Sequence, residues 1–156
     1  MFLIVGLGNP GEEYKHTRHN VGFMALDALK KLELPNTIFA KPQVFMNNSG
    51  KAVKSLTKNY KLQTKNLVVV HDDIDLPLGV FKISRNRGSA GHKGVQSIID
   101  ELKTKDFNRI RIGICPQAGK PKQVDKFVLQ NFTKGEEKIL KEVIKQTIAE
   151  IDNFRK

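Results

Sequence analysis

The sequence predicts an α/β fold: a single domain over residues 1–156, built on a mixed, mostly parallel twisted sheet flanked by helices. Short apolar runs of strand length alternate along the chain with segments whose apolar residues recur at helical spacing. That is the pattern of strands laid side by side and covered by crossover helices. The chain holds no internal repeat, low-complexity segment or linker-like stretch, so nothing divides it. At 156 residues and 39% hydrophobic, it is long enough to bury a core without disulfide staples.

Residues 2–5 are an apolar run closed by Gly6, which reads as a buried strand. Asn20 is placed to cap a helix over residues 21–32, with Met24, Ala28 and Leu32 on one face. Residues 38–45 alternate as a strand in which Pro42 marks an edge or a bend. Ser49 is placed to cap a helix over residues 50–61, whose apolar side carries Ala52, Val53, Leu56 and Tyr60. Residues 67–70 read as another buried strand, and residues 80–84 as an alternating one after a Pro/Gly turn at 76–79. Residues 95–102 continue as a helix, and residues 109–114 form a strand with alternating charge. Thr133 and Glu136 make a capping box for a long last helix, whose seam is Ile139, Leu140, Val143, Ile144, Ile148 and Ile151.

Lys and Arg number 27 against 16 Asp and Glu, a formal net charge of +11. Such a surplus on a small body makes a broad positive potential, and polyanions, nucleic acid first, are its natural partner. A well-solvated surface is the plainer account of the same charge. Cys115 is the only cysteine, so no intrachain disulfide is possible, which suits a reducing compartment. Placed before Pro116 at the end of an apolar run, it reads as a buried structural thiol. The N-terminal segment lacks the basic start of a signal peptide, and no apolar run approaches membrane-spanning length. A soluble, cytoplasmic protein is expected.

Five constellations could carry chemistry. Gly6, Gly8 and Gly11 follow a strand as G-x-G-x-x-G, with Glu33 near the distance for a ribose contact. Pro10 and the polar stretch 12–20 delay the helix that a dinucleotide site needs, and a helix rather than a second strand leads into Glu33. The loop that follows this strand is dense in Asn9, Tyr14, His16, Thr17, Arg18, His19 and Asn20. It leaves the carboxyl end of a strand, where open α/β sheets place their sites. His71-Asp72-Asp73-Ile74-Asp75 ends another strand, on the same rim. A carboxylate beside a histidine orients the ring, fixes its tautomer and stabilises the imidazolium. Asp72, Asp73 and Asp75 equally offer oxygen ligands for a hard metal, or a plain acidic turn. Asn47 and Asn48 are an amide pair between a strand and a helix, where capping is the simpler role. Lys51, Lys54, Lys58 and Lys61 form a stripe at helical spacing. Arg85, Arg87, Lys93, Lys103, Lys105, Arg109 and Arg111 gather around a glycine-rich loop at 88–94, where backbone and cations can approach phosphate.

Taken together, these segments resemble the bacterial peptidyl-tRNA hydrolase family. The matching stretches are Val5-Gly-Leu-Gly-Asn-Pro-Gly-Glu-Glu-Tyr14 with Thr17-Arg-His-Asn20, then Phe45-Met-Asn-Asn-Ser-Gly-Lys-Ala-Val53, and His71-Asp-Asp-Ile-Asp-Leu-Pro77 with Gly79. Gly91-His-Lys-Gly94, Arg109-Ile-Arg-Ile-Gly-Ile114 and Phe127-Val-Leu129 continue in the same order, so the resemblance spans nearly the whole chain. It implies hydrolysis of the ester between a peptide and the 3′ ribose of tRNA. It also implies no metal and no cofactor; a monomer without a membrane partner is expected. By the same resemblance His19 is the general base on a water, and Asp72 holds and polarises it. Asn9 and Asn47 position the terminal nucleotide and the peptide carbonyl, Tyr14 lines the acceptor end, and Arg85 with Arg111 clamps a tRNA phosphate.

This chain departs from that pattern in three places. Lys93 stands where the family usually has Asn; it offers donors to water and substrate but no acceptor. The stretch 34–39 is much shorter than in typical members, which exposes an edge and widens the peptide side of the cleft. The basic residue usual near Ser84 is displaced to Arg85. The rival reading these departures support is a relative that binds RNA without catalysis. A nucleotide-dependent oxidoreductase is the third reading, resting on the glycine pattern alone.

Overall fold

Residues 1–155 are described by the structure, a computed structural model. Five strands form one sheet in the order β2-β1-β3-β5-β4. They are β1 (Phe2–Gly6), β2 (Thr37–Ala40), β3 (Leu67–Pro77), β4 (Phe81–Arg85) and β5 (Asn108–Cys115). β2, β1, β3 and β5 run parallel, and β4 closes the edge antiparallel to β5. The helices are α1 (Val21–Lys30), α2 (Ser49–Asn59), α3 (Lys93–Leu102), the short α4 (Val124–Phe127) and α5 (Lys134–Arg155). The predicted mixed, mostly parallel sheet with covering helices is therefore present.

Strand periodicity sorts the core into two layers. Ile4, Val68, Val70, Ile110 and Ile112 pack with Val21, Leu26 and Leu29 of α1 and Leu140, Val143 and Ile144 of α5. Leu3, Val5, Leu67 and Val69 face the other way, onto Val53 of α2 and Val95 and Ile98 of α3. Each such aliphatic side chain, fully buried, contributes about 1.5–3 kcal/mol of transfer free energy. Gly6 of the nucleotide-like motif serves this packing. A Cβ on Gly6 would run into the Gly22 carbonyl, and one on Gly22 into the backbone of Leu7 and Val70. The pair lets α1 lie directly on β1 and β3, close to the loop that carries the polar cluster.

Several local expectations are corrected. The first helix stops at Lys30, the chain turns through left-handed Glu33 and Asn36, and Leu32 is exposed rather than on the apolar face. β2 ends at Ala40, before Pro42, which lacks the N–H a ladder needs. Neither Asn20 nor Ser49 caps a helix with its side chain: Asn20 is spent on Asn9, and Ser49 Oγ donates to the Met46 carbonyl. β3 runs eleven residues, because His71, Asp72 and Asp73 stay paired with β5 and a bulge carries the strand on to Pro77. α3 starts two residues early, its N-terminus capped by His92. The capping box of α5 forms, Thr133 N–H on Glu136 and Glu136 N–H on Thr133 Oγ1, but Ile139 is exposed and lies off the seam. Cys115 is partly exposed at the end of β5, not buried.

Candidate active site

Between β1 and β3 the chain's connections part to opposite sides of the sheet. That divergence leaves a crevice beyond the carboxyl ends of the two strands. The loop after β1 fills it with polar groups held in fixed positions. The Asn9 N–H donates to Asn20 Oδ1 at 2.8 Å, and Asn20 Nδ2 donates back to the Asn9 carbonyl at 2.9 Å. Asn9 Oδ1 accepts the Met46 N–H at 2.7 Å. With that oxygen taken, the Asn9 NH2 is the end left to donate into the cleft.

The next residues are stapled to the segment before α5. Arg18 N–H and His19 N–H donate to the carbonyls of Gln130 and Val128, and Phe132 N–H donates to that of His16. The buried Arg18 guanidinium lies 3.9 Å above the Phe127 ring and donates to Glu136 at 2.9 Å. Arg18 is thus an anchor for its neighbour His19, not a surface cation for a polyanion.

His19 Nδ1 lies 2.8 Å from Asp72 Oδ2. The other carboxylate oxygen, Oδ1, meets His92 Nε2, also at 2.8 Å. His92 Nδ1 accepts the Val95 N–H at the start of α3, so its hydrogen sits on Nε2 and is donated to Asp72. One helix cap thereby fixes the tautomer of His92, and one carboxylate, 2% exposed, serves two imidazoles. Burial alone would raise the Asp72 carboxyl and lower the His19 imidazole. The mutual charges and hydrogen bonds win in both cases: Asp72 is held far below the usual carboxylate range, and His19 rises above 6.5. Lys93 lowers His19 and Asp125 raises it. His71 is wholly buried, donates its Nδ1 hydrogen to the Asp72 carbonyl, and is held well below 6.5 by burial and by the neighbouring His92.

Two cavities, each of about 260 Å³, meet at this dyad. One is lined by His71, Ser89, Gly91, His92 and Lys120 among others. The other is lined by Asn9, Phe45, Met46, Asn47 and Leu129. His19, Lys93, Asp125 and Val128 line both and so form the wall between them. Tyr14 stands edge-on to Phe45, 6.3 Å between ring centres.

The structure therefore gathers His19, Asp72, Asn9, Asn47 and Lys93 around one cleft, with Tyr14 behind Phe45 at its margin. Both residues of the implied phosphate clamp have protein partners. Arg111 is buried, its Nε on Asp73 at 2.8 Å and its Nη1 on Ser84, because alternation along β5 turns it under the sheet's polar end. Arg85, on the edge strand, is exposed and held by Asp106. The acidic run does not converge either: Asp73 is taken by Arg111 and Asp75 by Lys120, leaving Asp72 alone with its histidines. Among the described residues, His19, Asp72 and His92 bring potential metal-ligand atoms within 4.8 Å of one another. Their 2.8 Å N···O separations are hydrogen-bond distances, and each contact is accounted for by a shared proton. Sequence reasoning passed over His92 and Asp125. The signal for His92 was its place between a glycine-rich loop and a helix start. Asp125 lies on a four-residue helix with no periodicity to reveal it.

Comparison with known proteins gives a consistent picture. The family model described as peptidyl-tRNA hydrolase matches residues 3–156. A peptidyl-tRNA hydrolase from Aquifex aeolicus is 44% identical over 168 positions, covering 94% of this chain and 85% of that protein. One from Aliarcobacter butzleri is 44% identical over 174 positions, covering 99% and 92%. Both alignments are longer than the 156 residues of the chain, so these relatives carry residues it lacks. The crystal structure of peptidyl-tRNA hydrolase from Acinetobacter baumannii superposes with a TM-score of 0.87 at 30% identity, covering 97% of this chain and 87% of that one.

Proposed function

The chain belongs to the peptidyl-tRNA hydrolase family and hydrolyses peptidyl-tRNA, and from that premise we propose how its residues divide the work. His19 is the general base. The observation that carries this is the bond from His19 Nδ1 to the buried Asp72, which leaves Nε2 free at the wall between the two cavities. The scissile ester lies across that wall, with the nucleoside on one side and the peptide on the other.

His19 Nε2 takes a proton from a water as the water oxygen attacks the ester carbonyl carbon. The carbonyl π pair becomes an oxyanion, and Asp72 stabilises the imidazolium formed. Collapse of the tetrahedral intermediate breaks the bond to the ribose 3′ oxygen. That oxygen takes the proton back from His19, giving a free peptide acid and a tRNA 3′ hydroxyl. The Asn9 NH2, fixed through its own oxygen on Met46, and the Asn47 amide are the donors for carbonyl and nucleotide. Tyr14 and Phe45 offer an aromatic margin to the acceptor end. No step requires a metal or cofactor.

Binding is driven by phosphate. The +11 charge supplies sequence-independent attraction, and Arg85, whose exposed pair with Asp106 is readily exchanged, is the member of the implied clamp free to meet a phosphate. Arg111 supports that region by fixing Asp73. The enzyme acts as a cytosolic monomer. No described helix is long and apolar enough to cross a membrane. The intact base and carboxylate weigh against a non-catalytic RNA binder. Turnover of tRNA carrying an N-blocked amino acid tests the reading: rapid release of the blocked amino acid is expected, and binding without release would overturn it.

A further inference from the structure

Lys93, at the first position of α3, and Asp125, on α4, come from opposite sides of the cleft. Their side chains meet at 3.8 Å over the wall that carries His19. Both are largely exposed, 65% and 84%. We infer that Asp125 is a resident counter-ion for Lys93, which the substrate's last phosphodiester displaces when the acceptor end enters. The inference rests on the esterase reading and goes beyond it by giving Lys93 a specific anion and Asp125 a role.

Three observations favour an exchange. The pair straddles both cavities, so an acceptor end that reaches His19 must pass it. A long, loosely held, solvent-facing ion pair is worth little, so replacing a carboxylate by a phosphodiester costs little. The other lysine lining the cleft, Lys120, is already held by Asp75 at 3.0 Å, and Arg109 donates to the Gly88 carbonyl, which leaves Lys93 the most readily released charge at the mouth. The exposure of Lys93 also separates this role from that of an oxyanion donor, which acts in a water-excluded site. An ammonium at the mouth acts on the ligand's phosphate and so on binding.

The consequence is a pair of opposite effects. Asp125→Asn frees Lys93 from its internal competitor, and KM for N-acetyl-aminoacyl-tRNA should fall, by up to about fivefold at low salt. Lys93→Asn should raise KM and flatten the plot of log KM against log salt by about 0.7–0.9, one phosphate contact. In the Lys93→Asn background, Asp125→Asn should have no further effect on KM. Both positions are on the surface, so thermal unfolding should be unchanged. An unchanged or higher KM in Asp125→Asn would overturn the proposal. So would a Lys93→Asn enzyme that loses kcat alone and keeps its salt slope, since the ammonium would then serve the oxyanion. Wild-type turnover in the same assay tests the esterase reading separately, because its absence would defeat that reading whatever the variants do.

Discussion

Asp72→Asn replaces one carboxylate oxygen by an NH2 group between two histidines, and the structure dictates which one. His92 Nδ1 is committed to the Val95 N–H, so His92 must donate from Nε2, and the amide oxygen must face it. The NH2 then faces His19 Nδ1, 2.8 Å away in the native protein. His19 is forced to accept on Nδ1 and to carry its hydrogen on Nε2, the atom that should take a proton from water. The base is lost to the wrong tautomer while both hydrogen bonds survive. Losses of this kind are on the order of 10²–10⁴ in kcat, about 2.7–5.5 kcal/mol of transition-state stabilisation. KM should change little, and thermal unfolding should move little because no buried polar group is orphaned. The residual activity should also shift. Burial lowers the His19 pKa and Asp72 raises it, so without the charge the acid limb of kcat/KM should move to lower pH. Steady-state hydrolysis of N-acetyl-aminoacyl-tRNA between pH 5 and 9 measures kcat, KM and the acid limb, and a thermal melt measures the unfolding. A variant within tenfold of wild type at pH 7.5 would refute the tautomer argument.

With His19 as the proposed base, its neutral form is the active one and its pKa is raised, so kcat/KM in the wild type should fall as pH drops through a value above 6.5; a limb below 6.5 would contradict the ion pair. His92→Ala removes the α3 cap and leaves Asp72 Oδ1 without its donor, at a cost of about 1–3 kcal/mol in urea unfolding and roughly tenfold in kcat; unchanged unfolding would show that the shared carboxylate does not matter. Arg111→Ala strands the buried Asp73 carboxylate and should destabilise by about 3–5 kcal/mol; a variant that unfolds like wild type and loses only tRNA affinity would restore Arg111 to the phosphate clamp.

Much of this architecture was legible because it rests on local pattern. The runs at 2–5 and 67–70, the alternation of β5 and the Thr133–Glu136 capping box each name their element without tertiary information. The elements that slipped were those where a polar residue found a distant partner. His71, Asp72 and Asp73 look like a loop, yet they continue β3 by pairing with β5, where Arg111, 38 residues away, meets Asp73. Asn20 looks like a helix cap, yet it binds Asn9 across the loop. The site followed the same rule. His19 and Asp72 could be nominated from two strand ends on one rim, whereas the second claim on Asp72 by His92 depends on how α3 is docked. The pairing of Arg111 with Asp73 was not legible for the same reason: strand alternation gives the face of a side chain but not what covers it.

The proposed role of His19, held by Asp72, is to take the proton from the attacking water. Single-turnover hydrolysis by His19→Ala at saturating enzyme, with tRNA binding measured alongside, tests it most directly. A fall in the chemical rate of at least ~10²-fold with affinity retained is predicted. Hydrolysis by His19→Ala at the wild-type rate would show that another group takes the proton.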